Sequence, residues 1–378
     1  MRVLVVNAGS SSVKLRVVDG QDHISASADL GPSGANFADQ LGAFVRGAGS
    51  LDAVGHRVVH GGPSFPGAVI VDERTRADLE KLRALAPLHN PPALAAIDVL
   101  DRLRPGLGSV ACFDTAFHAT LPPEATTYAL PSEWVDRWGV RRYGFHGLSC
   151  TWATARAADL LGWPPGSGRL VICHLGAGAS VTAVSAGRSA DTTMGFTPLE
   201  GLVMATRPGD VDPGAISWLM SNGIGVAELE DALEHRSGLA ALSGEASGDM
   251  RVLVERREAG DAPAALAIGV YLHRLRAKIA AMAAATGGTD ALVFTGGIGE
   301  NSPVIRAEAC SGLGWLGVSL DEQANTTVTD SDAEISAPGS AVPTVVVHAR
   351  EELVIAADCR RLLGDGRRTV ERSTRRDR

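Results

Sequence analysis

The chain has 378 residues, 45 % hydrophobic and 21 % charged, enough to bury a full core as two ordinary domains or one large α/β unit. A net charge of −8 argues against nucleic acid or an anionic membrane as partner, since both need a basic surface, and 4 % aromatics leave few stacking platforms for RNA or sugars. The five cysteines (Cys112, Cys150, Cys173, Cys310, Cys359) are odd in number and lack C-x-x-C spacing, so they read as reduced thiols rather than a disulfide frame.

The first segment, VLVVNAGSSSVKLRVVDG (3–20), runs from apolar strand to Gly/Ser turn to strand, with no cleavable apolar leader before it, so a cytoplasmic location is expected. VGHRVVHGG (54–62) reads as a strand ending in a turn, and residues 75–103 as helix, proline-broken loop and helix. SVACFDTAFHATLPP (109–123) reads as a strand ending at Asp114. LVICHLGAGASVTAVSAG (170–187) then repeats the plan of residues 3–20, with His174 where the first copy has Asn7, which points to a duplicated domain. A loop-rich stretch, 194–213, leads into amphipathic helices. The most apolar helix, 264–286, carries His273, Arg274, Arg276 and Lys278 at its centre, costly groups in lipid, so it is read as a core helix and not a membrane span. DALVFTGGIGENSPVIRAEA (290–309) reads as strand, glycine turn and helix, residues 341–363 as a last strand and helix, and the arginine-rich end, 364–378, as disordered. Strands alternating with helices make this an α/β fold.

Polar groups at strand ends mark where its ligand should lie. NAGSSS (7–12), HLGAGAS (174–180) and TGGIGEN (295–301) are turns whose backbone N–H groups can approach phosphate without a Cβ in the way, and three of them suggest a nucleotide held between two lobes. Arg57 and Arg207 sit at segment ends and carry the planar fork that suits carboxylate or phosphate, although a surface ion pair is the commoner fate of an arginine. Asp114 and Glu351 each follow an apolar strand, as carboxylates that hold Mg²⁺ through water often do; a helix N-terminal role is the plainer reading of Glu351. His56 and His60 lack the glutamate of H-E-x-x-H, and four residues along a strand separates them by roughly 13 Å, too far to share zinc.

Taken together, VNAGSSSVK (6–14), GHRVVHGG (55–62), LAPLHNPPAL (85–94), FDTAFH (113–118), RRYGFHG (141–147), MGFTPLEG (194–201), DVDPG (210–214) and FTGGIGENS (294–302) resemble the acetate kinase family almost end to end. The resemblance implies a duplicated actin-like (ribonuclease H-like) ATPase fold with a nucleotide cleft between lobes of residues 1–115 plus 352–378 and 116–351. It implies reversible phosphoryl transfer from ATP to acetate, giving ADP and acetyl phosphate with Mg²⁺ (or Mn²⁺), by a homodimer. Arg57, Asp114, His146 and Arg207 would be catalytic. Val59, Leu88, Phe145 and Pro198, with Arg57, would form the acetate pocket. Asn7, Ser10, Ser12, Lys14, His174, Gly176, Ala177 and Gly178 would face phosphate. Asp249, Met250, Arg251, Gly297, Ile298 and Asn301 would border the nucleotide, and Asn7, Asp114 and Glu351 would order the metal.

Several positions depart from the family pattern. Ala177 stands where H-L-G-N-G has an asparagine, Leu148 and Cys150 replace polar residues after His146, and D-F-R and N-E-E read Asp249-Met250-Arg251 and Arg350-Glu351-Glu352. Losing one donor to a developing charge costs roughly 10²–10³ in rate. Three alternatives therefore stand beside acetate kinase: a propionate- or butyrate-preferring kinase, a weakened nucleotide-binding regulator, and a histidine-based metal hydrolase, which the strand spacing disfavours.

Overall fold

The computed structural model describes residues 1–9, 12–31, 36–87 and 89–374, with 365–374 by backbone alone. It divides into two compact units, residues 1–119 with 350–378, and residues 120–349.

The first unit is built on strands β1 (Val3–Ala8), β2 (Val13–Val18), β3 (Ile24–Leu30), β4 (Ala53–Val58), β5 (Val69–Ile70) and β6 (Gly108–Phe113), in sheet order β3-β2-β1-β4-β6-β5. The pairs β1–β2, β2–β3 and β5–β6 are antiparallel, while β1–β4 and β4–β6 are parallel. Alternate residues such as Leu4, Val6, Leu15 and Val54 enter a core with Leu41 and Val45 of the helix Phe37–Gly47 and Leu94 and Ile97 of the helix Asn90–Leu103. Pro91 and Pro92 lie inside the first turn of that second helix, not in the loop before it, because a first-turn N–H has no helical partner to lose. The final helix, Glu351–Thr374, crosses β4 at Gly55, where an added Cβ would sit 2.3 Å from Ile355 Cγ2. As far as Thr374 this helix corrects the expectation of a disordered end, since Arg367, Arg368, Glu371 and Arg372 are good helix formers with no proline among them; residues 375–378 lie outside the described residues.

The second unit repeats the pattern with β7 (Arg169–Leu175), β8 (Ala179–Ser185), β9 (Arg188–Thr192), β10 (Ala291–Thr295), β11 (Ala333–Glu334) and β12 (Thr344–Val346), in order β11-β12-β10-β7-β8-β9. Read from the β7–β8 hairpin outwards, each pairing has the sense of its counterpart in the first sheet. The duplication suggested by two similar hairpins thus extends to whole six-stranded sheets. The helix Ala262–Ala285 buries Ile268, Tyr271, Leu272, Leu275, Ile279 and Met282 at helical spacing against this sheet. Among the described residues no helix is long and apolar enough to cross a membrane. The glycines after β10 form a short helix, Gly296–Asn301, rather than an open turn, because Glu300 folds back to accept from Gly296 N at 2.8 Å. All five cysteines are buried free thiols.

Candidate active site

In the first unit four polar residues meet at the C-terminal ends of the parallel strands. Asn7 on β1 and Arg57 on β4 are register partners, and Asp114 follows β6 directly. Arg57 donates from Nε to both Asp114 oxygens at 3.1 Å, from Nη2 to Oδ2 at 2.5 Å, and from Nη1 to Asn7 Oδ1 at 3.0 Å. Asn7 Nδ2 donates to Glu351 Oε2 at 2.8 Å, and Glu351 lies 3.8 Å from Arg57 Nε. Burial works against the Arg57 charge, but the Asp114 and Glu351 carboxylates outweigh it and push the guanidinium pKa up. Asp114 is 1 % exposed; burial first, then Glu351, outweigh Arg57 and raise its carboxyl to about 6. Two carboxylates and an amide oxygen are hard donors of the kind Mg²⁺ accepts alongside water and phosphate, so this set fits that ion.

Val59 is buried just past β4, Ser12 precedes β2, and Lys14 stands exposed opposite Asn7 in the β1–β2 register. Ser10 and Leu88 lie outside the described residues. His56 bonds Ser109 Oγ through Nε2 at 3.0 Å, and His60 Nδ1 accepts from Gly62 N at 2.9 Å.

In the second unit the organising feature is the turn Gly176–Gly178 between β7 and β8, closed by Gly176 N donating to Gly178 O at 3.0 Å. Gly176 and Ala177 line a cavity of about 600 Å³ together with Asp249, Met250, Arg251, Gly297, Ile298 and Asn301. That volume lies within the range of small-molecule sites. Arg251 pairs with Asp249, the cap of its own helix, at 2.6 Å, and Asn301 Nδ2 donates to Gly297 O at 2.9 Å.

At the Gly178 end of the turn, an added Cβ would lie 3.4 Å from His146 Nε2 and 3.7 Å from Arg207 Nη1. His146 caps the helix Gly147–Leu160 in a left-handed conformation, φ 60°, uncommon outside glycine and frequent at functional positions. Its ring stacks on His174 with centroids 4.1 Å apart, its Nδ1 meets Ser180 Oγ at 3.0 Å, and His174 Nδ1 meets Ser149 Oγ at 2.8 Å. Arg207 Nε pairs with Glu234 Oε2 at 3.1 Å, and its Nη1 donates to Pro198 O at 3.2 Å. Burial lowers the Arg207 pKa against the opposing pull of Glu234. The Arg207 loop is tied to the turn by Ala205 N, which donates to Ala177 O at 3.0 Å. Phe145 is buried immediately before His146.

The first unit thus brings together Asn7, Arg57, Asp114 and Glu351, and the second brings together His146, His174, Gly178, Pro198 and Arg207 beside the cavity. Sequence reasoning missed Ser149, Ser180 and Glu234. Ser180 closes the quoted motif 174–180 and Ser149 lies two residues past RRYGFHG, whereas Glu234 lies in the helix Val226–His235, where no motif marks it.

The acetokinase family model matches residues 34–357. The chain is 41 % identical to an acetate kinase of Thermotoga maritima, covering 96 % of this chain and 99 % of that one. The chain belongs to the acetokinase family. It is also 45 % identical to an acetate kinase of Leifsonia xyli subsp. xyli, over 94 % of this chain and 97 % of that one. Among solved structures it superposes on an acetate kinase from Porphyromonas gingivalis with a TM-score of 0.88 at 35 % identity, covering 96 % of this chain and 99 % of that one. A propionate kinase from Francisella tularensis gives 0.86, also at 35 % identity, covering 94 % and 98 %. The fold is therefore the duplicated actin-like ATPase fold of these acetokinase relatives. In this member of the acetokinase family Ala177 is exposed on the cavity, whereas Leu148 and Cys150 are buried, with Cys150 Sγ 3.7 Å from Thr182 Oγ1. Those two departures therefore belong to the packing of the unit.

Proposed function

We propose that the chain is an acetate kinase, transferring the γ-phosphoryl group of ATP to acetate and back. One observation carries the reading: a single glycine turn lines a nucleotide-sized cavity at Gly176 and Ala177 and has two side-chain nitrogens, His146 Nε2 and Arg207 Nη1, beside Gly178. A phosphate chain seated along Gly176–Gly178 presents its terminal group to both.

Acetate is ionised at pH 7 and needs no general base. Its oxygen attacks the γ-phosphorus, the bond to the bridging oxygen breaks, and the electron pair leaves with ADP. Transfer then rests on positioning and on positive charge around a loose transition state. Arg207 supplies that charge and His146 stabilises the equatorial oxygens beside it; Arg57 holds the acid's carboxylate, and Phe145 and Pro198 contribute apolar surface for the methyl group. Asn7, Asp114 and Glu351 would hold Mg²⁺, which when bound neutralises charge on the phosphate oxygens. Gly176, Ala177, Gly297, Ile298 and Asn301 seat the nucleotide.

The enzyme is read as cytoplasmic, in keeping with five free thiols, and as a homodimer. Support for the dimer comes from the helix Pro213–Ser221, which buries no residue and leaves Trp218 64 % exposed beside Leu219 and Met220.

The test is to trap acyl phosphate with hydroxylamine after incubation with ATP, Mg²⁺ and acetate, propionate or butyrate. Hydroxamate is expected with acetate as the best acid. A higher kcat/KM for propionate would shift the reading to a propionate kinase, since one methylene is worth only about 1–3 kcal/mol in an apolar pocket. No product with any acid, despite ATP binding, would refute the kinase.

A further inference from the structure

The loop 194–201 is held by a polar knot whose three side chains, Tyr128, Arg142 and Glu200, carry no role in the site described above. Glu200 accepts from the Tyr128 hydroxyl through Oε2 and from Arg142 Nη2 through Oε1 at 2.5 Å. Tyr128 Oη in turn accepts from Phe196 N at 3.0 Å. Arg142 Nη1 donates to the carbonyls of Thr192, Thr193 and Met194 at 3.0–3.1 Å, gathering the end of β9. The knot closes over Gly195 so tightly that a Cβ there would lie 1.8 Å from Glu200 Oε2 and 2.2 Å from Tyr128 Oη.

Two separate lines run from this loop to the reacting groups. Its Pro198 carbonyl takes the hydrogen bond from Arg207 Nη1. Its Gly195 carbonyl accepts from Tyr143 N at 3.0 Å and Gly144 N at 3.3 Å, which suspends Phe145 and His146 from the same segment. Among the described residues, the side-chain hydrogen bonds of Tyr128, Arg142 and Glu200 run to one another, to 192–194 and to Phe196, none of which lines the nucleotide cavity.

We propose that Tyr128, Arg142 and Glu200 are positioning residues that fix the acid end of the site, and with it the choice between acetate and larger acids, while leaving the nucleotide seat alone. The inference rests on the acyl phosphate reading above. Side chains held to within a fraction of an ångström discriminate shape, and a small misplacement is felt at once in the orientation of the reacting atoms. Freed of the knot, Pro198 and Phe145 relax together, because both hang on the one loop.

The experiment uses the full chain with Tyr128→Phe, which deletes one oxygen, and Glu200→Gln, which keeps the shape and removes the charge facing Arg142. For each, kcat and KM are measured for acetate, propionate and ATP, with circular dichroism as the check on folding. The expected result is an acetate KM raised about ten-fold, a propionate-to-acetate kcat/KM ratio raised at least about five-fold, and an ATP KM within about two-fold of wild type. A merely structural role would lower kcat for both acids alike and leave their ratio unmoved, and that outcome overturns the proposal. If Glu200→Gln does not fold, Tyr128→Phe decides alone. Wild-type protein inactive with every acid would bring down the function reading and this inference together, whereas an active wild type with an unmoved ratio overturns only the inference.

Discussion

Replacing Asp114 by asparagine keeps the shape of the residue and removes one charge from the Asn7–Arg57–Asp114–Glu351 cluster. The Arg57–Asp114 contacts, at 2.5–3.1 Å, correspond to about 6 kcal/mol of attraction at an effective dielectric near 20. Glu351, 3.8 Å from Arg57 Nε, still supplies about 4 kcal/mol on the same scale, so the guanidinium is not left without a counter-charge. The substitution also relieves burial of a carboxylate that sits beside Glu351, the two causes that raise the Asp114 pKa to about 6. The net loss of stability is therefore expected at about 2 kcal/mol, below the 3–5 kcal/mol typical of a broken buried pair. Urea unfolding followed by circular dichroism measures it. Tryptophan emission does not report this unit, because all six tryptophans lie between residues 134 and 315, in the other one. An Asp114→Asn protein as stable as wild type, or one that loses 5 kcal/mol or more, would refute the view that Glu351 shares the counter-charge.

Glu234→Gln weakens the Nε anchor of Arg207 and should lower kcat/KM for the acid about ten-fold in steady-state kinetics, with ATP KM nearly unchanged; a selective loss of ATP affinity would contradict that placement. His56 is fully buried, and burial lowers its pKa from 6.5 to about 3, so only the unfolded chain takes up a proton as pH falls below 6.5. Stability should therefore drop by about 1.4 kcal/mol more in wild type than in His56→Asn between pH 7.5 and 5.5, measured from urea midpoints; parallel pH profiles would show that His56 is not the group responsible. Ala177→Asn adds a donor at an exposed position on the cavity and should raise the rate of acyl phosphate formation several-fold or more; a flat rate would mean that the missing amide does not limit this enzyme.

What the sequence alone determined was local. Both hairpins and their glycine turns follow from period-2 apolar runs, and the positions of Asn7, Asp114 and His174 at strand ends follow from where those runs stop. Helix geometry after β10 was less legible, because Glu300 must fold back on Gly296 to turn a glycine run into a helix. Tertiary structure decided everything that depends on residues far apart in the chain. The Glu200 knot joins positions separated by 58 and 72 residues, and Arg207 finds its counter-charge 27 residues on, in a helix that carries no motif. A strand or turn announces itself through its own spacing, since its backbone bonds close over a few residues. A salt bridge or a carbonyl acceptor across loops leaves no such period, and only the folded chain brings the two partners within reach.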